Sequence, residues 1–193
     1  MSLSYEKRHM PEACRLVGTY FWHWSSMELL LNNLIGKALK LEPVAEAIIC
    51  ANLKLMEKVH IAKTTVSVAP FLDDNDRERF SKGLEKIKRI SGWRNMLAHN
   101  AFSPLDQEKF VVEFFVTKAK GDLTFPKTHW TKEIFYEKNR EILEIADALS
   151  EMTEKVAILP RNSLVNALLQ FAPNPDTPSL GLTVLLSPSL KEQ

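Results

Sequence analysis

The chain has 193 residues, 45% hydrophobic and 25% charged, with a formal net charge of +1 at pH 7, which suits one well-buried domain, or one domain with a tail, and leaves two full domains cramped. So small a charge gives no whole-molecule field for nucleic acid, and any such surface has to be a local patch. No apolar run nears the roughly 18 residues that cross a bilayer, and the charged opening from Met1 to His9 lacks the apolar centre of a secretory signal, so a cytoplasmic protein with no membrane association is expected.

From about Pro11 to Lys40 apolar residues recur at helical spacing, with Val17, Tyr20, Trp24, Met27, Leu31, Leu34, Ile35 and Ala38 on one stripe. This predicts a long first helix, with fraying at Gly18. Pro43 suits the first turn of a second helix, Val44 to about Val68, whose apolar face takes Ala47, Ile48, Leu55, Val59 and Ala62 and whose end Pro70 marks. Asp73, Asp74, Asn75 and Asp76 supply a cap and favourable charge for a third helix, which runs through Phe80, Leu84, Ile87 and Ile90 to His99 before Ser103-Pro104 stops it. Lys109 to Lys118 is rich in β-branched and aromatic residues, and Gly121-Asp122 offers a turn, so a β-hairpin over about Lys109 to Phe125 is expected, limited by Pro126. Thr131 can cap a fourth helix, Lys132 to about Leu159, with Ile134, Phe135, Leu143, Ile145, Ala146, Leu149, Met152 and Val156 inside and Pro160 closing it. Residues 161–193 read as a proline-rich, extended or partly disordered tail whose apolar pieces, Leu164 to Phe171 and Leu180 to Leu186, can dock on the body or on a partner. The expected fold is all-α: an antiparallel bundle of about four long helices in residues 1–160, with a small β-hairpin inserted before the last helix. Cys14 and Cys50 lack the paired spacing of a zinc or redox motif, and both are expected to be buried thiols.

The chemistry concentrates in Arg94-Asn95-Met96-Leu97-Ala98-His99-Asn100, at the end of the third helix. Arginine offers a permanently charged, planar fork of donors suited to phosphate, and histidine gains or loses a proton near neutral pH. Together they are the minimum kit for cutting a phosphodiester. A helical wheel puts Arg94 on the face of Phe80, Ile87 and Ile90, where a lone charge would be costly. The same wheel sets Glu28 among Trp24, Leu31 and Ile35, which makes it the expected partner of Arg94. Asn95 and His99 lie one turn apart and share the stripe's edge, while His99 falls about 140° around the helix from Arg94. From the residues alone, a structural Arg–Glu pair between two helices, with His99 and Asn100 merely ending the third helix, accounts for the pattern better than a catalytic site does.

The same residues resemble a family signature. Arg94, Asn95 and His99 match the "RNxxAH" form of the Arg-to-His motif of HEPN domains. The stretch from Phe21 to Leu31, aromatic-rich with Glu28 inside it, is similar to the first helix of many members. The resemblance spans about residues 10–160, with the hairpin as an insertion and the tail outside it. It implies a helical bundle acting as a homodimer, with motifs from both subunits facing one cleft. It further implies a metal-independent endoribonuclease without a cofactor, often a toxin of a toxin–antitoxin or phage-defence system with an antitoxin protein as partner. On that implication His99 is general base or acid around the 2′-hydroxyl attack, Arg94 stabilises the phosphorane-like transition state, Asn95 positions the phosphate or His99, and Glu28 belongs to the same constellation. Asn100, Lys88 and Arg89 are the candidate substrate contacts. A non-catalytic RNA- or nucleotide-binding or protein-interaction scaffold is the other function that the resemblance implies, with Arg94 and Glu28 then structural.

Other residues carry weaker signals. Lys82, Lys86, Lys88 and Arg89 form a basic run that offers a track for an RNA backbone, although Glu78 and Glu85, interleaved with it, read it as a solvated face. His23 and His60 lack a second ligand at metal spacing, so no metal site is expected. Trp22, Trp24 and Trp93 fit core or dimer contacts better than base stacking, and His129-Trp130 fits a loop anchor.

Overall fold

The computed structural model describes residues 3–69, 72–105, 110–116, 118–120, 122–124 and 127–157, and the expected tail lies outside them. The chain is mostly helical. Helices α1 (Leu3–Ala38), α2 (Pro43–Asn52), α3 (Leu55–Val68) and α4 (Asp74–His99) are followed by strands β1 (Phe102–Leu105), β2 (Val111–Phe115), β3 (Lys118–Lys120), β4 (Asp122–Thr124) and β5 (Lys127–Thr131), then by α5 (Lys132–Ala157). No helix among the described residues is long and apolar enough to cross a membrane.

Helix α1 runs unbroken through Pro11 and Gly18, and all eight residues of its predicted stripe are buried. Where one helix was expected from Val44 to Val68, there are two. Leu53 and Lys54 both take extended backbone angles, and the chain turns a corner between α2 and α3. Side chains close both flanks of the break: Asn52 Nδ2 donates to the Ile48 carbonyl at 2.8 Å, and the Glu57 carboxylate accepts the Lys54 N–H at 2.6 Å. The expected apolar face divides accordingly. Val59 and Ala62 are buried, whereas Ile48 is 61% exposed and Ala47 is also exposed. At the end of α1 the Leu41 N–H reaches the Gly36 carbonyl at 2.9 Å, and Lys40 sits at φ 52°, the left-handed conformation that closes helices of this kind.

The ion pairs fix how the helices run. Glu12 meets Lys132 at 2.9 Å, and Arg15 reaches Tyr136, so α1 and α5 run in the same direction. Arg79 with Glu151 and Arg89 with Glu141 set α4 against α5 head to tail, and Lys63 with Glu85, together with Arg77 donating to the Val66 and Ser67 carbonyls, does the same for α3 and α4. Asp73 caps α4 by accepting the Asp76 N–H at 2.7 Å. On α5 the buried stripe takes Phe135, Ile142, Leu149 and Val156, one every seventh residue, and Ile145, Ala146 and Met152 are also buried. Leu143, expected inside, is 43% exposed because it stands one residue, about 100° of helix, beyond Ile142.

The segment between α4 and α5 is more than a hairpin. Strands β1, β2 and β5 form a three-stranded antiparallel sheet in that order, and β3 pairs antiparallel with β4. Ser103-Pro104, expected only to end a helix, lies in edge strand β1, where a proline need not donate to the ladder. Central strand β2 is buried from Val111 through Phe114, Glu113 included. His129 and Trp130 belong to β5, not to a loop. His129 stands opposite Glu113 and contacts its carboxylate at 3.1 Å, and Trp130 packs edge-on against Tyr20, Trp93, Phe114 and Phe135. This aromatic cluster ties the sheet to α1, α4 and α5, and fixes where the end of α4 lies.

Candidate functional site

Helix α4 ends in the motif. Leu97 is its buried anchor, and Asn100, in extended conformation, closes the last turn by donating from Nδ2 to the Met96 carbonyl at 2.6 Å. Asn100 is thus a helix cap, and that bond occupies part of the amide expected to touch substrate.

Arg94 is half-buried and projects toward a cleft of about 410 Å³ walled by three helices. Helix α1 contributes Trp24 and Glu28, the start of α3 contributes Lys54 and Leu55, and α4 contributes Ser91, Arg94 and Asn95. The structure thus brings Arg94, Asn95 and Glu28 to one cleft, but the expected Arg94–Glu28 pair does not form. Glu28 is taken by Lys58 at 3.0 Å, and Arg94 Nη1 donates instead to Asn95 Oδ1 at 3.3 Å. The reason is the placement of α3. Lys58 lies in the stripe Leu55-Lys58-Val59-Ala62, its side chain is only 6% exposed, and the Glu28 carboxylate is the acid within its reach. The wheel that singled out Glu28 on α1 finds Lys58 equally well on α3; it was missed because which helix would face α1 is not a local property.

Among the described residues no carboxylate lies within ion-pair distance of Arg94. Its charge is felt at Tyr20, whose hydroxyl donates to the Ile90 carbonyl at 3.4 Å. Burial and the Glu141 carboxylate push the Tyr20 phenol well above its usual range, and Arg94 opposes them. With Glu28 neutralised by Lys58, the cleft keeps two cations, Arg94 and Lys54, beside the neutral donor Asn95, while the Ser91 hydroxyl is spent on the Lys88 carbonyl at 2.7 Å. Such a set can bind an anion through charge-assisted hydrogen bonds.

His99 is exposed on the last turn of α4. It follows Asn95 by one turn and so neighbours it on the helix surface, outside the residues that line the cleft. Lys88 is exposed. Arg89 is held by Glu141 at 2.5 Å, with its guanidinium 5.7 Å from the Trp93 ring. Lys82 pairs with Glu78 and Lys86 with Glu144, so most of the basic run is ion-paired surface. His23 is half-buried against the Trp22 ring, 4.8 Å between centroids. Its Nδ1 has no hydrogen-bond partner, and burial lowers its basicity. His60 is exposed, and so is Cys14, which was expected inside; Cys50 is buried.

No protein-family model, curated protein or solved structure matches this chain. A functional reading therefore rests on the chemistry of these residues and on the motif they form.

Proposed function

We propose that this chain is a HEPN-type helical bundle acting, as a homodimer, as a metal-independent endoribonuclease. The observation that carries the proposal is a half-buried arginine with no carboxylate within ion-pair distance among the described residues, at the wall of an open cleft, with an exposed histidine five residues further along the same helix, one turn beyond Asn95. An arginine left without an acid in a cleft is a receptor for an anion, and RNA supplies that anion together with its own nucleophile, the 2′-hydroxyl. His99 takes the 2′-hydroxyl proton, the 2′-oxygen attacks phosphorus as the bond to the 5′-oxygen breaks, and the 5′-oxygen leaves with a proton drawn from water, which the His99 imidazolium then replaces. The products are a 2′,3′-cyclic phosphate and a 5′-hydroxyl. Arg94 stabilises the charge that builds on the phosphoryl oxygens, and the Asn95 amide, bonded to Arg94 at 3.3 Å, holds the guanidinium in place. DNA, without the 2′-hydroxyl, is inert.

One observation favours a second reading. His99 lies outside the lining of the cleft, an arrangement that suits an RNA- or nucleotide-binding module that does not cut. Incubating purified wild type, His99→Ala and Arg94→Gln with total RNA in excess EDTA, followed by mapping of 5′-hydroxyl ends, separates the two. Cleavage by wild type that falls roughly 100- to 10,000-fold in His99→Ala, at an unchanged thermal midpoint, is the expected result. Binding of RNA without cleavage by folded wild type supports the module. Cleavage that survives His99→Ala overturns the mechanism.

A further inference from the structure

Among the described residues, the outer face of helix α2 is uncovered. Val44, Ala47, Ile48 and Ala51 recur at helical spacing and are all exposed, Val44 at 72% and Ile48 at 61%. The only charged residue of α2, Glu46, is turned away toward Gly36 on α1. A ten-residue helix with an uncharged, solvent-facing apolar stripe lacks its cover.

The chain itself supplies one at the right end of the molecule. Helix α2 runs back along the last turns of α1: Glu46 meets Gly36, and the Cys50 thiol lies 4.0 Å from the Asn32 carbonyl. The start of α2 is therefore level with Ala38. Helix α5 runs in the same direction as α1 from the Glu12–Lys132 pair onward, and the two cover nearly the same number of residues from there to Ala38 and Ala157. Lys155 near its end pairs with Asp76 at the start of α4. The chain thus leaves α5 at the end of the molecule where α2 begins. After a connection of residues 158–162, which spans at most about 18 Å, Ser163 can cap a segment whose Leu164, Leu168 and Phe171 recur as one face, with Val165 and Leu169 beside it, before Pro173 ends it. No charged residue stands between Arg161 and Asp176, as a segment buried on an uncharged stripe requires.

We infer that residues 163–172 form an amphipathic helix that docks on the Val44-Ala47-Ile48-Ala51 face of α2 within the same chain. Hydrogen exchange of the full-length protein tests this independently of the Arg94 cleft. Amides of 164–172 are expected to exchange at least tenfold more slowly than in an unstructured peptide. Ile48→Asp, at a position open in the rest of the fold, removes that protection without changing exchange in α4, and Leu168→Asp does the same from the other side. Three results overturn the inference: unprotected 164–172 amides in wild type, protection that survives Ile48→Asp, or sedimentation of wild type as a dimer that Ile48→Asp splits, which assigns the face to a second copy.

Discussion

Removing the Glu28 carboxylate is the sharpest probe of how α1, α3 and α4 share their charges. Lys58 is almost fully buried, with its ammonium 3.0 Å from Glu28, whereas the Glu28 side chain keeps 35% of its surface in water. Breaking a fully buried pair by deleting one partner costs about 3–5 kcal/mol, because the other charge is stranded. The partial exposure of Glu28 lets water reach the pair and reduces this to roughly 2 kcal/mol for Glu28→Gln. In a chain of this size that is a fall of about 4–8 °C in thermal midpoint. The reverse deletion differs: Lys58→Met removes the buried ammonium, fills its space with an apolar stem and leaves a carboxylate that water can still hydrate, so its effect stays within about 1 kcal/mol. The double variant is expected to resemble Lys58→Met alone, and Arg94→Gln to stay within roughly 0.5 kcal/mol, since Arg94 has no part in the pair. Urea titration of the four variants measures all of this. If Lys58→Met destabilises more than Glu28→Gln, or Arg94→Gln matches Glu28→Gln, then Glu28 serves Arg94 and the assignment of charges is wrong.

Other outcomes follow from the same geometry. Ile142→Ala should lose about 2–5 kcal/mol in chemical denaturation, because Ile142 is fully buried, while Leu143→Ala next to it should lose no more than about 0.5 kcal/mol. Lys40→Gly should raise the thermal midpoint by a gain of up to about 1 kcal/mol, because glycine takes the φ of 52° without the strain lysine suffers there. Hydrogen bonds from Arg15 and then Lys132 hold the Glu12 carboxyl at about 2, below its ordinary 4.5. A lowered carboxyl contributes stability that is complete above the unfolded value and is lost as pH falls toward the folded one. The urea midpoint of Glu12→Gln should therefore lie below that of wild type at pH 7 by up to about 1 kcal/mol, and the two should converge as pH drops from 4.5 toward 2.

The helices were legible wherever one stripe faced one core. Tyr20, Met27 and Leu34 on α1, and Phe80, Leu84 and Ile87 on α4, are buried as their spacing predicts. The break at Leu53–Lys54 was not, because neither residue is a glycine or a proline; its local signs are the side chains of Asn52 and Glu57, which bond backbone groups beside it. Strand β1 hid behind Pro104, which reads as a stop until its place on a sheet edge is known. Within the site, the common cleft of Arg94 and Asn95 was readable because adjacent residues on one helix cannot be far apart. The partner of Glu28 was not, because it depends on which of several helices packs against α1. The ion pairing of Arg89 with Glu141 likewise needed α5 to be set against α4.

The alliance of α1 with α5 bears on the order in which the protein can be made. Every residue from Leu39 to Thr131 lies between the two helices, so on the ribosome α1 emerges long before the helix that covers its Tyr20-Met27-Leu34 side. During that interval helix α1 has α2, α3, α4 and β1 against it but lacks α5, and closing the structure waits on a contact between segments far apart in the chain. A nascent chain stalled before Lys132 is therefore a sticky one, and a natural client for a chaperone that binds exposed apolar helices.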